Sequence, residues 1–171
     1  VLFGAWEFFT PLFWTDVVGI PEPLTGPLLT LFTATVLVAS PGLGALSDRW
    51  GRRGFITGGL TALCLLMIIQ GFLLNPLIQA GLVMLIGLAM AATVTSSAPL
   101  ITEVVEAQVK GTALGLLGTI MDVGQALGPI CVGLLLAIGG GYTFAFLVVC
   151  GVLLLIPLLL LIGLDPTPSQ S

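Results

Sequence analysis

Gly44-Ala45-Leu46-Ser47-Asp48-Arg49-Trp50-Gly51-Arg52-Arg53 is a short charged insert between two apolar stretches, each long enough to cross a bilayer. A charge held at the bilayer centre costs roughly 3 kcal/mol even on insertion scales, so these side chains belong at a membrane surface. The rest of the chain agrees. Hydrophobic residues make up 57%, charged residues 7%, and the mean hydropathy is +1.22, whereas an ordinary soluble domain carries about 25% charged residues. This is the composition of an integral membrane protein. At about 20 residues per spanning helix plus short loops, 171 residues make about six helices. The apolar runs lack the alternation of barrel strands, so the expected class is all-α.

Turn residues divide the chain into spans of about 1–19, 24–47, 55–74, 77–102, 112–138 and 142–164, followed by a polar tail at 165–171. Ile20-Pro21-Glu22-Pro23, Asn75-Pro76 and the triple glycine 139–141 supply the breaks that a helix interior does not tolerate. The chain opens on Val1 inside an apolar run, which reads as a piece beginning within its first helix, with no signal peptide in view. The basic residues are Arg49, Arg52, Arg53 and Lys110, after the second and fourth spans, and the other connections hold none. Lysine and arginine near helix ends are retained on the cytoplasmic side. The segments 48–54 and 103–111 and the C-terminus are therefore expected to be cytoplasmic, and the expected location is the plasma (inner) membrane.

The charged insert resembles the loop motif G-x-L-x-D-R-x-G-R-R of the major facilitator superfamily, matched by Gly44, Leu46, Asp48, Arg49, Gly51, Arg52 and Arg53. The resemblance implies six helices forming one half of a transporter bundle and a latch joining the two halves at the cytoplasmic surface. Gly44 would let the second span approach a neighbour, and Gly51 would permit a sharp turn. Asp48 could cap the N-terminus of an adjacent helix in one transport state only. Arg52 needs an anion. Glu103, ending the fourth span, is similar in placement to the family's acidic partner, with Glu106 as the second choice. Arg49 and Arg53 are equally well read as topology signals that touch lipid headgroups.

Gly115, Gly124, Gly128, Pro129 and Gly133 in the fifth span resemble the glycine-and-proline signature of facilitator antiporters, with Val132 in place of one expected glycine. The same spacing serves simple close packing, and both readings stand. Many family members carry an arginine in the middle of helix four, at Val83 here, yet no basic residue occurs from Leu77 to Thr102. Together with the polar tail, this points to the C-terminal half, helices seven to twelve.

Two carboxylates, Glu7 and Asp122, fall near the middle of apolar spans. Counting about 1.5 Å per residue, Glu7 lies about 18 Å from the outer end of the first span and Asp122 about 15 Å from the inner end of the fifth. An ionisable group near the midplane is a functional candidate, either for a coupling proton or for a cationic substrate. For Asp122 a protonated packing group is an equal alternative. Spans one and four carry the most polar groups, among them Thr10, Thr15, Thr93, Thr95, Ser96 and Ser97, and are expected to line a cavity. Thr93, Ser96 and Ser97 are candidate substrate contacts, with close helix packing as the other reading. Spans three and six, the most uniformly apolar, are expected to face lipid.

Cys64, Cys131 and Cys150 sit singly in apolar runs and histidine is absent, so no metal site or disulfide is expected and the cysteines read as small buried residues. The net charge of −4 is spread along the chain and suggests no nucleic-acid partner. No cofactor is expected, and an enzyme lacks a nucleophile and base pair. The expected partners are lipid, the other six-helix half, a small-molecule substrate and a proton. The function this implies is secondary active transport by alternating access, as proton-coupled antiport or efflux. The alternative is a non-transporting interaction or regulatory module built on the same scaffold.

Overall fold

Each break in the chain is made by residues that cannot continue a helix. The computed structural model describes residues 2–163, with side chains from 3 to 155, and within these limits it contains helices and connections but no strand. Leu164 and the polar tail expected at 165–171 lie outside the described residues. Helix α1, Leu2–Phe13, runs into a π-helical turn, Trp14–Val18, which Gly19 closes with a left-handed φ of 77°. Helix α2, Glu22–Trp50, starts directly after Pro21 with Pro23 in its first turn, where a missing N–H costs nothing. Glu22 and Pro23 thus belong to the helix, and the turn before it is shorter than expected.

The charged segment is not an extended loop. Helix α2 continues through Asp48, Arg49 and Trp50, and α3, Arg52–Phe72, begins after Gly51 alone, at φ 98° and ψ 120°. That backbone conformation strains any residue with a Cβ. After Leu73 and Leu74 the Asn75 side chain accepts from the Leu77 N–H at 3.0 Å, capping α4, Pro76–Val104, with Pro76 at the first position. A 3₁₀ turn, Ala107–Val109, leads into α5, Lys110–Ala137. Gly139, at φ 91°, turns the chain into α6, Tyr142–Gly163. At the charged end of the bundle α2, α3, α4 and α5 each extend two or three residues beyond the spans read from hydropathy, because polar ends that leave the hydrocarbon remain helical.

By length and composition α2, α3, α4 and the segment Ala107–Ala137 can each cross a membrane. The principal packing pairs are α2 with α4, α3 with α4, α3 with α6 and α1 with α5. Exchanging the first three helices for the last three maps α2–α4 onto α5–α1 and α3–α6 onto itself, the relation expected of an internal repeat. Glycine sets three of these contacts. A Cβ at Gly4 would collide with the Gln125 carbonyl, one at Gly59 would meet Thr93 Oγ1 at 2.6 Å, and one at Gly87 would meet the Phe32 carbonyl at 3.2 Å. Without a hydrophobic force between helices in lipid, such close approach supplies the dispersion contact that holds them. The core centres on Trp6, Phe13, Trp14, Phe32, Met67, Ile86 and Phe146.

Two expectations about exposure change. Helices α3 and α6 do not simply face lipid: Leu63, Cys64 and Met67 of α3 and Ala145, Phe146 and Val149 of α6 are buried, and only their other sides are exposed. Of the four membrane-length helices α4 is the most buried and α2 the least. Uniform apolarity fits lipid and protein interior equally well, so it does not separate them. Cys64 and Cys150 are buried as expected, but Cys131 is exposed.

Candidate functional site

At the charged end of the bundle, Arg52 joins three helix ends. Its Nη2 lies 2.8 Å from Asp48 Oδ1, and its Nε donates to Glu103 Oε1 at 2.7 Å. Each charge sits at the unfavourable end of its own helix, the two acids in the last turns of α2 and α4 and the arginine in the first turn of α3. A carboxylate beside a helix C-terminus is repelled by the macrodipole, as is a cation at an N-terminus. Bringing the three together offsets these costs. Arg52 is 19% exposed while the acids are 54% and 55% exposed, so solvent screens the pairs and each contributes no more than about 1 kcal/mol.

The other motif residues divide. Gly51 makes the turn, and Leu46 is half-buried. A Cβ at Gly44 would meet nothing within 4 Å, so no described helix requires that glycine. Arg49 and Arg53 are exposed, and among the described residues neither they nor Glu106 and Lys110 form an ion pair. Asp48 is committed to Arg52 rather than to a helix N-terminus of this chain.

On α5, Gly128 and Val132 are buried and Gly124 is half-buried. Gly133 lies beside Phe9 of α1, where a Cβ would come to 3.9 Å of the ring, while the space at Gly115 is open. Pro129 lies inside the helix between these packed positions. Gly133 therefore lies at the α1–α5 contact, and Gly115 does not.

Glu7 is exposed on α1 at the same level, and its Oε2 accepts from Gln125 Nε2 at 3.0 Å. The Gly4 contact holds the two backbones together beside this pair. Asp122, one turn earlier on α5, is exposed and has no side-chain hydrogen bond among the described residues. The hydroxyls of α4 turn inward on their own helix: Thr93 bonds the Ala89 carbonyl, Thr95 that of Ala91, Ser96 that of Ala92 and Ser97 that of Thr93. Ser96 is fully buried and Thr93 packs on Gly59 at the α3–α4 contact. Thr10 is likewise buried, and its Oγ1 has no hydrogen-bond partner among the described residues.

The structure also contains polar groups that the sequence reading passed over. Trp6 Nε1 donates to Gln70 Oε1 at 2.8 Å and Trp14 Nε1 to Gln79 Oε1 at 3.1 Å. The Gln70 amide donates to Gln79 at 3.1 Å, and the Gln79 amide returns to the carbonyls of Gln70 and Leu73. All four side chains are buried, and together they tie α1 to both ends of the α3–α4 turn. An indole in mid-core needs an acceptor, and a glutamine inside an apolar span is a signal for one that the sequence offers. Near the same end, Tyr142 donates to Asp16 Oδ2 at 2.9 Å, linking α6 to the π-helical turn.

A family model described as Major Facilitator Superfamily matches residues 1–171. The chain belongs to the major facilitator superfamily. No curated protein matches it. As a superfamily member it is an integral membrane protein of the transporter class, residing in lipid and handling a small substrate, and such proteins are generally not enzymes. Superfamily membership also gives the surfaces of the bundle a meaning. Exposed faces such as that of Glu7 and Asp122 are open to whatever adjoins the bundle in the membrane, whereas Ser96 and the glutamine network are internal to it.

Proposed function

We infer that this chain forms the C-terminal half of a secondary active transporter, moving a small molecule by alternating access with Glu7 as the coupling group for a proton. The single observation that carries this reading is the Gln125–Glu7 hydrogen bond on the exposed side of the α1–α5 contact. A carboxylate on that face, held by a neutral amide and by no cation among the described residues, can gain or lose a proton without breaking an ion pair. Alternating access rocks two such halves about a midplane site, so a group on an exposed face at mid-depth meets both compartments in turn.

The remaining roles follow from position. The Asp48–Arg52–Glu103 cluster is the cytoplasmic latch, with Asp48 changing partner between states, and Arg49 and Arg53 with Lys110 fix the orientation. Asp122 is the secondary carboxylate, and Gly124, Gly128 and Pro129 let α5 move against α1 in proton-coupled antiport. Ser97, half-buried on α4, is the remaining hydroxyl candidate for substrate contact.

The test is transport by the full-length protein in proteoliposomes with and without an imposed pH gradient. Glu7→Gln should abolish gradient-driven movement while sparing downhill exchange, and Asp122→Asn should do less. Intact gradient-driven transport in Glu7→Gln would remove Glu7 from coupling.

A further inference from the structure

An apolar groove of about 550 Å³ opens on the outside of the α3–α4 pair at the charged end of the bundle. Its wall on α3 includes Gly54, Gly58 and Leu66, its wall on α4 includes Leu85 and Ala92, and Trp50 stands at its mouth. The neighbouring Gly59 is needed for the α3–α4 contact, but a Cβ at Gly54 or Gly58 would meet nothing within 4 Å. Glycine is among the poorest helix formers. Two glycines that no described helix requires leave a channel in the bundle surface instead.

The length of the groove indicates its occupant. From Gly54 to Leu66 the α3 wall rises about 18 Å at 1.5 Å per residue, close to half of a hydrocarbon core of roughly 30 Å. That is the depth reached by an acyl chain of one leaflet. At the mouth, Trp50 is 76% exposed and packs edge-on against Phe55 at 6.4 Å, and an exposed tryptophan is the amphipathic side chain enriched at headgroup level. Arg49 and Arg53 directly precede the lining residues Trp50 and Gly54, are exposed, and have no ion pair among the described residues. Arg52, by contrast, is consumed by its two acids.

We propose that this groove is a binding site for an anionic phospholipid, one acyl chain lying along Gly54, Gly58 and Leu66 and the phosphate meeting Arg49 and Arg53. A helix of another protein unit would need a wider face and would leave two arginines to be neutralised, whereas a lipid satisfies the apolar channel and the cations at once. The site is separate from the Glu7 region and does not depend on the coupling role given to it.

The full-length protein, reconstituted in phosphatidylcholine bilayers, provides its own probe. Trp6 and Trp14 are buried, so quenching of Trp50 by lipids brominated near the head of an acyl chain reports occupancy of the mouth. The Trp50→Phe protein supplies the background to subtract. Dibrominated phosphatidylglycerol should reach half-quenching at a mole fraction at least about fivefold below dibrominated phosphatidylcholine, the preference expected from one arginine near an anionic surface. Arg49→Gln with Arg53→Gln should erase the difference between the lipids, and Gly58→Leu, which fills the groove, should weaken quenching by both. Equal quenching by the two lipids overturns the proposal. So does quenching by neither, which would mean that protein covers the groove, or a Gly58→Leu variant indistinguishable from the parent.

Discussion

Arg52 Nε lies 2.7 Å from Glu103 Oε1, binding the first turn of α3 to the last turn of α4 between residues 51 positions apart in sequence. The same guanidinium holds Asp48 at the end of α2, so one side chain ties the α2–α3 turn to the end of α4.

This arrangement makes the three residues interdependent. Arg52→Ala, Asp48→Asn and Glu103→Gln should each lower transport by the full-length protein at near-normal expression, with the double variants losing less than the sum of the singles. Thermal unfolding should change little, by about 1 kcal/mol or less per pair, because the acids are more than half exposed. Additive losses in vesicle transport would show that the three act separately.

The glutamine network should behave differently. Gln79→Leu removes the acceptor of Trp14 and of the Gln70 amide inside a buried cluster, and each orphaned polar group costs about 1–3 kcal/mol. Gln79→Leu should therefore lower the unfolding midpoint in detergent well below that of Arg52→Ala. Trp6→Phe, which removes a single donor, should cost less. A midpoint equal to that of the parent would mean that the network contributes nothing to stability.

Glycine substitutions should separate packing from open positions. Gly87→Ala places a methyl group 3.1 Å from Thr35 Cβ and 3.2 Å from the Phe32 carbonyl, while the space at Gly115 is empty. Gly87→Ala should lower the unfolding midpoint, whereas Gly115→Ala should leave it unchanged or raise it through better helix propensity, by about 0.5–1 kcal/mol. The ranking of the two midpoints is the check.

Orientation can be read by labelling. A Cβ at Gly111 or Gly141 meets nothing within 4 Å, whereas one at Gly140 would press on Phe144 and the Leu135 carbonyl. Gly111→Cys and Gly141→Cys, in a protein lacking Cys64, Cys131 and Cys150, should react with an impermeant maleimide from opposite faces of the membrane. Reaction of both in intact cells would overturn the assignment of Arg49, Arg52, Arg53 and Lys110 to the cytoplasmic side.

Local chemistry determined a large part of this protein. Long apolar runs require membrane-length helices because an unpaired backbone group is costly in hydrocarbon, and Pro21, Asn75-Pro76 and Gly139 end helices through backbone restrictions that act within a few residues. The charged motif placed Arg52 beside an acid for the same reason: charges excluded from the bilayer gather at helix ends.

Tertiary structure decided what hydropathy does not encode. Lipid tails and protein interior are equally apolar, so the sequence gives no measure of which side of α3 packs on α6 or that Ser96 turns inward while Ser97 is half-exposed. Nor does it pair Trp6 with Gln70 or Trp14 with Gln79, residues more than sixty positions apart. Those partners are chosen where Gly59 and Gly87 let α4 approach α3 and α2, because the helices that come closest determine which buried donors reach which acceptors.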